Sequence, residues 1–438
     1  MSGHTRRRWL QRQGLLAGVL ASGALGSGCS TTATGTGPVG ERGARIAVIG
    51  GGFAGASCAR ALKSTRPDLA VTLFEPRRRY TACPLSNLAL IGARTLSQQE
   101  FGYDDLRRVG VDVVHQAVAG IDPGSHTLSL DDGTAASWDL LVLATGIEID
   151  YGALPGYDET AAARLPHAWL AGAQTRLLAR QLRALPENGV VIITVPNNPY
   201  RCPPGPYERA SLIAHYLKQA KPRAKLLVLD AKDRFSKQGL FQAAWAAHYD
   251  GILEWHGQAD GATITAVDAA RSAVLTEFEA ITGDVINVIP PQHAGALARA
   301  AGLSDASGWC PIEVPSFRST RAADVYVIGD AAIANGMPKS AFAANAQARL
   351  AALQILRQLD GLEPLDSKLL NTCYSLISPT LGISVADVYQ PGARRWEPVA
   401  GAGGTSPARA TTAVRQAEAV YARRWFEHLT GSVFGAPA

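Results

Sequence analysis

An apolar run, Ile46 to Ile49, leads directly into Gly50-x-Gly52-x-x-Gly55, and an alanine-rich stretch of helical character follows. In a strand–turn–helix setting those glycines permit a tight turn, close approach of a pyrophosphate, and tight packing of helix on strand. The helix start supplies free N–H groups and a favourable dipole for phosphate. A second strand, Ala70 to Phe74, ends at Glu75, where a carboxylate can accept hydrogen bonds from ribose hydroxyls. Strand, turn, helix and acid in register predict a βαβ dinucleotide-binding unit.

Two later segments choose the nucleotide. DLLVLATG, from Asp139 to Gly146, is a buried strand followed by a turn, and VYVIGD, from Val325 to Asp330, is another. The order GxGxxG, then Thr145-Gly146, then Gly329-Asp330 resembles that of two-dinucleotide-fold flavoenzymes, and the resemblance implies that Asp330 contacts the ribityl chain. FAD, rather than NAD alone, is the expected cofactor.

Between those signatures lies a second apparent βαβ unit, with strands at Val190 to Val195 and Ala224 to Asp230. Its turn, VPNNPYRCPPGPYE, carries prolines 196, 199, 203, 204 and 206 in place of glycines. Proline has no backbone N–H and its ring restricts close approach, so this unit has the architecture of a nicotinamide site without its chemistry. Electrons are therefore not expected from NAD(P)H.

The 438 residues, 47% hydrophobic and 18% charged, suffice for two or three domains. A formal net charge of +5, without a long block of like charge, gives no footing for nucleic acid and leaves an acidic protein partner open. At the N-terminus, Thr5-Arg6-Arg7-Arg8-Trp9-Leu10-Gln11 resembles a twin-arginine export motif, ahead of the run GLLAGVLASGALGSG. That run is short and glycine-rich against the roughly 20 strongly apolar residues of a membrane span, so an exported, periplasmic chain with no integral membrane span after processing is expected. Gly26 argues against a lipoprotein site at Cys29.

Of six cysteines, Cys29 falls in that leader; the other five contain neither a CxxC pair nor CxxCH. A zinc ribbon, a thioredoxin-like site and a haem on this chain are thus not expected, and no metal is assigned. From the turn alone, Cys202 is equally a small buried residue or a working thiol.

Taken in family order, YTACPLSN (80–87), HAWLAGAQT (167–175), RCPPGPYERA (201–210), FSKQGLF (235–241), MPKSAFAANAQA (337–348) and NTCYSLISPTLGISV (371–385) resemble the flavoprotein subunit of flavocytochrome c sulfide dehydrogenase. The resemblance covers nearly all of the chain beyond the leader. More distantly, the chain is similar to sulfide:quinone oxidoreductases. The resemblance implies an α/β fold of glutathione-reductase type, with two Rossmann-like domains and a C-terminal α+β docking domain. The expected division is export signal and linker 1–43, FAD-binding domain 44–155 and 286–363, second Rossmann-like domain 156–285, and docking domain 364–438.

It further implies that Cys83 is bonded to the 8α carbon of FAD, and that Cys202 and Cys373 form a redox-active disulfide beside the flavin. A structural staple is the competing reading of that pair. Hydrosulfide would open the bridge to a persulfide and a thiolate, the thiolate being Cys373. Glu208 is the candidate proton carrier, although an exposed glutamate at a helix start is an equal reading. The helix expected after Pro338 would place its N-terminal dipole near the reduced flavin, assisted by Lys339. At Ala331-Ala332 the chain departs from the family, in which a cysteine often stands. The expected partner is a c-type cytochrome subunit docking near residues 364–438; Trp396 and Trp425 fall in that region, where an aromatic either sits between flavin and haem or, as is more usual, merely packs. The tail AVYARRWFEHLTGSVFG has an amphipathic pattern that instead suits a membrane surface. It is the main support for the alternative of a quinone reductase; a third reading is an accessory flavoprotein that binds thiols or persulfides.

Overall fold

The computed structural model describes residues 43–435; the leader expected over 1–43 lies almost wholly outside them. Continuous apolar runs make the central strands of two parallel sheets. The first has the order Val325–Val327, Leu140–Leu143, Arg45–Ile49, Ala70–Phe74, Asp112–Val114, with every pairing parallel. Strands buried on both faces read as unbroken hydrophobic sequence, which is why LLVL and RIAVI stand out. Helix Phe53–Thr65 follows the first strand and packs against Ala341–Leu359.

The second parallel sheet runs Leu253–His256, Lys225–Asp230, Val190–Val195, Val285–Val288. Its last strand starts where the second domain was expected to end. Val285–Val288 is buried throughout and pairs with Val191 to Thr194, so this sheet holds the chain to residue 288. Antiparallel strands Ile147–Ile149 and Gln292–Ala294 then carry the chain out of and back into the first unit.

The C-terminal part is built on a long hairpin, Leu369–Ser378 with Leu381–Pro391, covered by helix Thr412–Phe434. Leu369, Asn371, Cys373 and Ser375 are buried while the residues between them are more exposed, the two-residue period of a strand with one inward face. The apolar side of the final helix is consumed by the protein itself. Ala422, Phe426, Leu429 and Val433 are buried, and Phe434 lies among Tyr80 at 5.4 Å and Phe101 at 5.5 Å. That packing covers most of the apolar stripe on which a membrane-surface role for the tail rested, leaving Val420 and Tyr421 exposed. Among the described residues no helix is long and apolar enough to cross a membrane.

Candidate functional site

The carboxyl ends of the first sheet, the proline-rich turn of the second, and the C-terminal hairpin meet around one cavity of about 320 Å³. Gly50, Gly52, Glu75, Cys83, Thr145, Gly146, Cys202, Glu208, Gly329, Asp330 and Cys373 all line it. At Gly55 a side chain is sterically excluded, because a Cβ would stand 1.9 Å from the Gly50 carbonyl oxygen. The helix beginning at Phe53 has Gly52 as its cap and no side-chain cap, which leaves its first N–H groups available to a ligand.

Glu75 is buried and engaged from two sides. Its carboxylate accepts from the Gly51 N–H (2.9 Å) and from the Arg77 backbone (3.0 Å) and Nε (2.8 Å). Burial opposes its ionisation, but the Arg77 guanidinium and these N–H donors outweigh burial and hold it below the usual carboxylate range. Thr145 Oγ1 and Asp330 Oδ1 are buried with no hydrogen-bond partner among the described residues. Burial pushes the Asp330 carboxyl up despite Arg201 and Lys339 nearby. Trp169 Nε1 is a third such unpaired atom among the cavity-lining residues, and buried polar atoms are normally paired, so orphans gathered on one wall mark groups reserved for a ligand. An acceptor at Asp330, an open helix start and a glycine cradle fit FAD. Cys83 lines the same space, with Sγ 3.9 Å from the Trp169 carbonyl.

On the other side, Cys202 has φ of 58°, a left-handed conformation costly for a residue with a Cβ. Its N–H donates to the Lys339 carbonyl (2.7 Å), and its carbonyl accepts from Gly205 N–H (2.7 Å), which pins the turn at the start of helix Gly205–Ala220. Cys373 arrives from the inward face of the hairpin, where Asn371 Nδ2 donates toward its sulfur at 3.4 Å. Both cysteines are free thiols. Burial, and then the neighbouring Cys373 and Glu208, push the Cys202 thiol up.

Glu208, in the first turn of helix Gly205–Ala220, is turned inward rather than toward solvent. Oε1 accepts from Asn87 Nδ2 (3.2 Å) and Oε2 from the Leu376 N–H (3.4 Å), while burial raises its carboxyl above the ordinary range. A carboxyl group raised in this way holds a proton more readily than an exposed one and is placed to exchange it with a bound ligand.

Lys339 behaves differently from expectation. Its ammonium donates to the carbonyls of Asp330 (2.7 Å) and Ala332 (2.9 Å), sits 3.7 Å above the Trp309 ring, and is not part of the main cavity wall. The helix expected after Pro338 begins at Ala341, with Ser340 Oγ capping the Ala343 N–H at 3.0 Å; Ser340 and Ala341 do line the cavity. Of the two tryptophans, Trp425 lines the cavity, stacked with Phe342 at 6.0 Å, whereas Trp396 is fully buried against Phe317. Cys58 and Cys310 are buried, and burial pushes both up to about 12.

Sequence reasoning missed the buried charges. Arg209 donates to Asn87 Oδ1 (3.0 Å), Asn287 Oδ1 (2.8 Å) and the carbonyls of His167 (3.0 Å) and Ala168 (2.6 Å), and lies 5.0 Å over the Trp169 ring. Lys237 donates to the Cys373 carbonyl and to Ser375 Oγ, both at 2.8 Å. Arg209 and Lys237 sit within quoted stretches, RCPPGPYERA and FSKQGLF, but a lone cation in a loop or at a helix start carries no sign that folding will bury it.

The crevice of the second parallel sheet is filled. Asp230, at the end of its strand where a nucleotide-binding acid belongs, accepts from Tyr207 (2.6 Å), Lys232 (2.6 Å) and Trp255 (3.1 Å). Phe235 stacks on Tyr207 at 3.6 Å. Protein side chains occupy the ground that a nicotinamide nucleotide would need.

Three family descriptions match along the chain: pyridine nucleotide-disulphide oxidoreductase over residues 44–176, the central region of the sulfide dehydrogenase (flavocytochrome c) flavoprotein chain over 175–290, and the flavin-binding region of flavocytochrome c sulphide dehydrogenase over 366–434. The flavoprotein chain of sulfide dehydrogenase (flavocytochrome c) from Chlorobaculum thiosulfatiphilum is 49% identical over 43 residues, which is 10% of this chain and 90% of that one. The mitochondrial sulfide:quinone oxidoreductase of Mus musculus is 23% identical over 65% of each chain, slightly under two thirds of that protein's length. The sulfide:quinone oxidoreductase structure from Aquifex aeolicus superposes with a TM-score of 0.70 at 16% identity, covering 90% of this chain and 93% of that one, which shows a shared fold. The chain belongs to the family of flavocytochrome c sulfide dehydrogenase flavoproteins, related to the sulfide:quinone oxidoreductases.

Proposed function

We propose that this protein is an exported flavoenzyme that oxidises hydrosulfide to zero-valent sulfur and passes the electrons to a c-type cytochrome. The observation that carries the reading is the convergence of Cys83, Cys202, Cys373 and Glu208 on the cavity that also holds the glycine cradle, Thr145 and Asp330. In the oxidised protein Cys202 and Cys373 are joined. Hydrosulfide attacks the Cys202 sulfur, forming a Cys202 persulfide and expelling Cys373 as thiolate. Glu208 takes up the proton released from the bound sulfur, held in place by Asn87 and the Leu376 N–H. Removal of two electrons closes a sulfur–sulfur bond again and releases sulfur at the zero-valent level. FAD, held by the first cradle and attached through Cys83, supplies the acceptor for that electron pair.

The aromatic group Phe342, Tyr374 and Trp425 at the cavity wall supports exit of electrons toward the C-terminal helix, where the cytochrome subunit docks. The twin-arginine leader supports a periplasmic location. Micromolar sulfide should bleach the flavin of the purified holoprotein, and ferricytochrome c should restore its colour. An unchanged spectrum would favour an accessory, thiol-binding role. Recovery with a quinone analogue but not with cytochrome would favour the quinone reductase suggested by the relatives. Digestion should yield a Cys83 peptide heavier by one FAD; freely released flavin would refute the attachment.

A further inference from the structure

Lys237 is buried, and its ammonium is hydrogen-bonded to neutral groups among the described residues, with carboxylates acting on it only through space. It sits at the cap of helix Gln238–His248 with φ of 62°, a left-handed backbone that aims its side chain across to the C-terminal hairpin. There the ammonium donates to the carbonyl of Cys373 itself and to Ser375 Oγ, two residues on. Its hydrogen-bond partners are both neutral, so an anion forming beside them would be stabilised by its charge.

The candidates for that anion are few. The ionisable groups whose charges act on Lys237 are Cys373 on the hairpin, Glu208 and Cys202 at the start of helix Gly205–Ala220, and Glu418 on the C-terminal helix; on its own helix, Phe241 presents a ring at 5.8 Å. Glu418 is committed to Ser384 (3.1 Å) and Arg415 (3.1 Å). Arg201 and Lys237 also act through space on the Cys202 thiol, but among the described residues no cation is hydrogen-bonded at the Cys202 backbone, whose N–H and carbonyl are used by the turn.

We propose that Lys237 is a positioning residue that stabilises the ionised sulfur of Cys373 when the bridge to Cys202 opens, and so decides which cysteine leaves as thiolate and which keeps the persulfide. A disulfide sulfur departs faster when the resulting thiolate is better stabilised, and the incoming nucleophile then bonds to the other sulfur. With positive charge fixed on the Cys373 peptide, hydrosulfide is directed to Cys202. Burial lowers Lys237 to about 8, with Cys373 the largest influence opposing burial.

The inference rests on the sulfide reading of the cavity but is tested without sulfide. The reduced holoprotein is treated with iodoacetamide from pH 6 to 10, and carbamidomethylation of the Cys373 peptide is followed by mass spectrometry. An opposite charge nearby favours a charged form by about one pH unit or more. In Lys237→Gln, Cys373 should therefore react about tenfold more slowly at pH 7.5, with the difference vanishing at the alkaline end. Lys237→Arg should restore most of the rate. An unchanged profile in folded Lys237→Gln overturns the proposal, and so does equal slowing in both variants, which would mean the lysine is only a staple. Should Lys237→Gln not fold, Ser375→Ala, which removes one of the two groups favouring the ammonium, should slow alkylation in the same direction by about threefold, and no slowing there overturns it. Failure of sulfide to bleach the wild-type flavin would instead sink the functional reading while leaving this titration intact.

Discussion

The two parallel sheets show what happens when one architecture is used twice. In the first, glycines keep a crevice open: Gly52 caps the helix without a side chain, and Thr145 and Asp330 point unpaired groups at the space. In the second, the corresponding crevice is filled by Tyr207, Lys232, Trp255 and Phe235 around Asp230. Five prolines in its turn have no backbone N–H to offer a phosphate. The turn delivers Cys202 and Glu208 to the first domain's cavity instead. A βαβ unit is thus a rigid way of placing a turn, and the chemistry resides in what the turn carries.

The largest expected effect comes from closing the open cradle. Gly55→Val would drive a side chain into the Gly50 carbonyl, a backbone atom that cannot swing aside. Overpacking of this kind costs typically about 1–3 kcal/mol and more against rigid backbone. The purified variant should retain less than a tenth of the wild-type flavin, read from absorbance per mole of protein. At the second turn, the Cβ of Gly205→Ala would meet the Trp169 ring edge at 2.8 Å and Cys202 Sγ at 3.1 Å, which are side-chain atoms. That variant should keep its flavin while slowing bleaching by sulfide. Equal flavin loss in both would erase the distinction drawn between the two turns.

Much of this contrast was legible beforehand, because it depends on short-range signals. Strand Ala70–Phe74 and the helix after Gly52 follow from apolar runs and glycine spacing, and the absence of a glycine cradle at the second turn from its five prolines. Besides the buried cations Arg209 and Lys237, three things were not legible. The inward turn of Glu208 depends on Asn87, brought by the Cys83 loop, and on Leu376, brought by the hairpin, both remote in sequence. Lys339 reads as a cation beside a helix start, yet nearby carbonyls and the Trp309 ring capture it. The membrane-like tail has an apolar stripe, but periodicity does not say whether lipid or the protein's own Phe101 and Tyr80 will cover it.

The joint between the two folds gives the next effect in size. His167 is buried, its Nδ1 accepts from the Trp169 N–H (2.9 Å), and its carbonyl is held by Arg209 and Asn287 of the second fold. Burial, reinforced by the Arg209 and Arg201 charges, lowers it to about 4 from the ordinary 6.5. Between those values the unfolded chain binds a proton that the folded protein refuses, so stability is level above pH 6.5 and falls as pH drops toward 4. The loss amounts to about 2–3 kcal/mol by pH 4.5 from this group. Urea unfolding of wild type and His167→Gln at pH 7 and pH 4.5 isolates it, since other carboxyl groups titrate in both. The variant should lose less stability on acidification; parallel losses would show that the joint is not where acid acts.

The smallest effect probes whether the second crevice is filled or merely capped. Tyr207→Phe keeps the ring stacked on Phe235 but removes the hydroxyl that donates to Asp230 at 2.6 Å. Asp230 keeps Lys232 and Trp255, so its charge stays compensated. Loss of one hydrogen bond to a buried carboxylate should then cost about 1.5 kcal/mol in urea unfolding. The ring still occupies the crevice, so millimolar NADH should not raise the melting temperature of either protein. If Tyr207→Phe gained protection by NADH, a single hydroxyl would have been the only barrier to a nicotinamide nucleotide, and the two sheets would differ by a lock rather than by the shape of their cores.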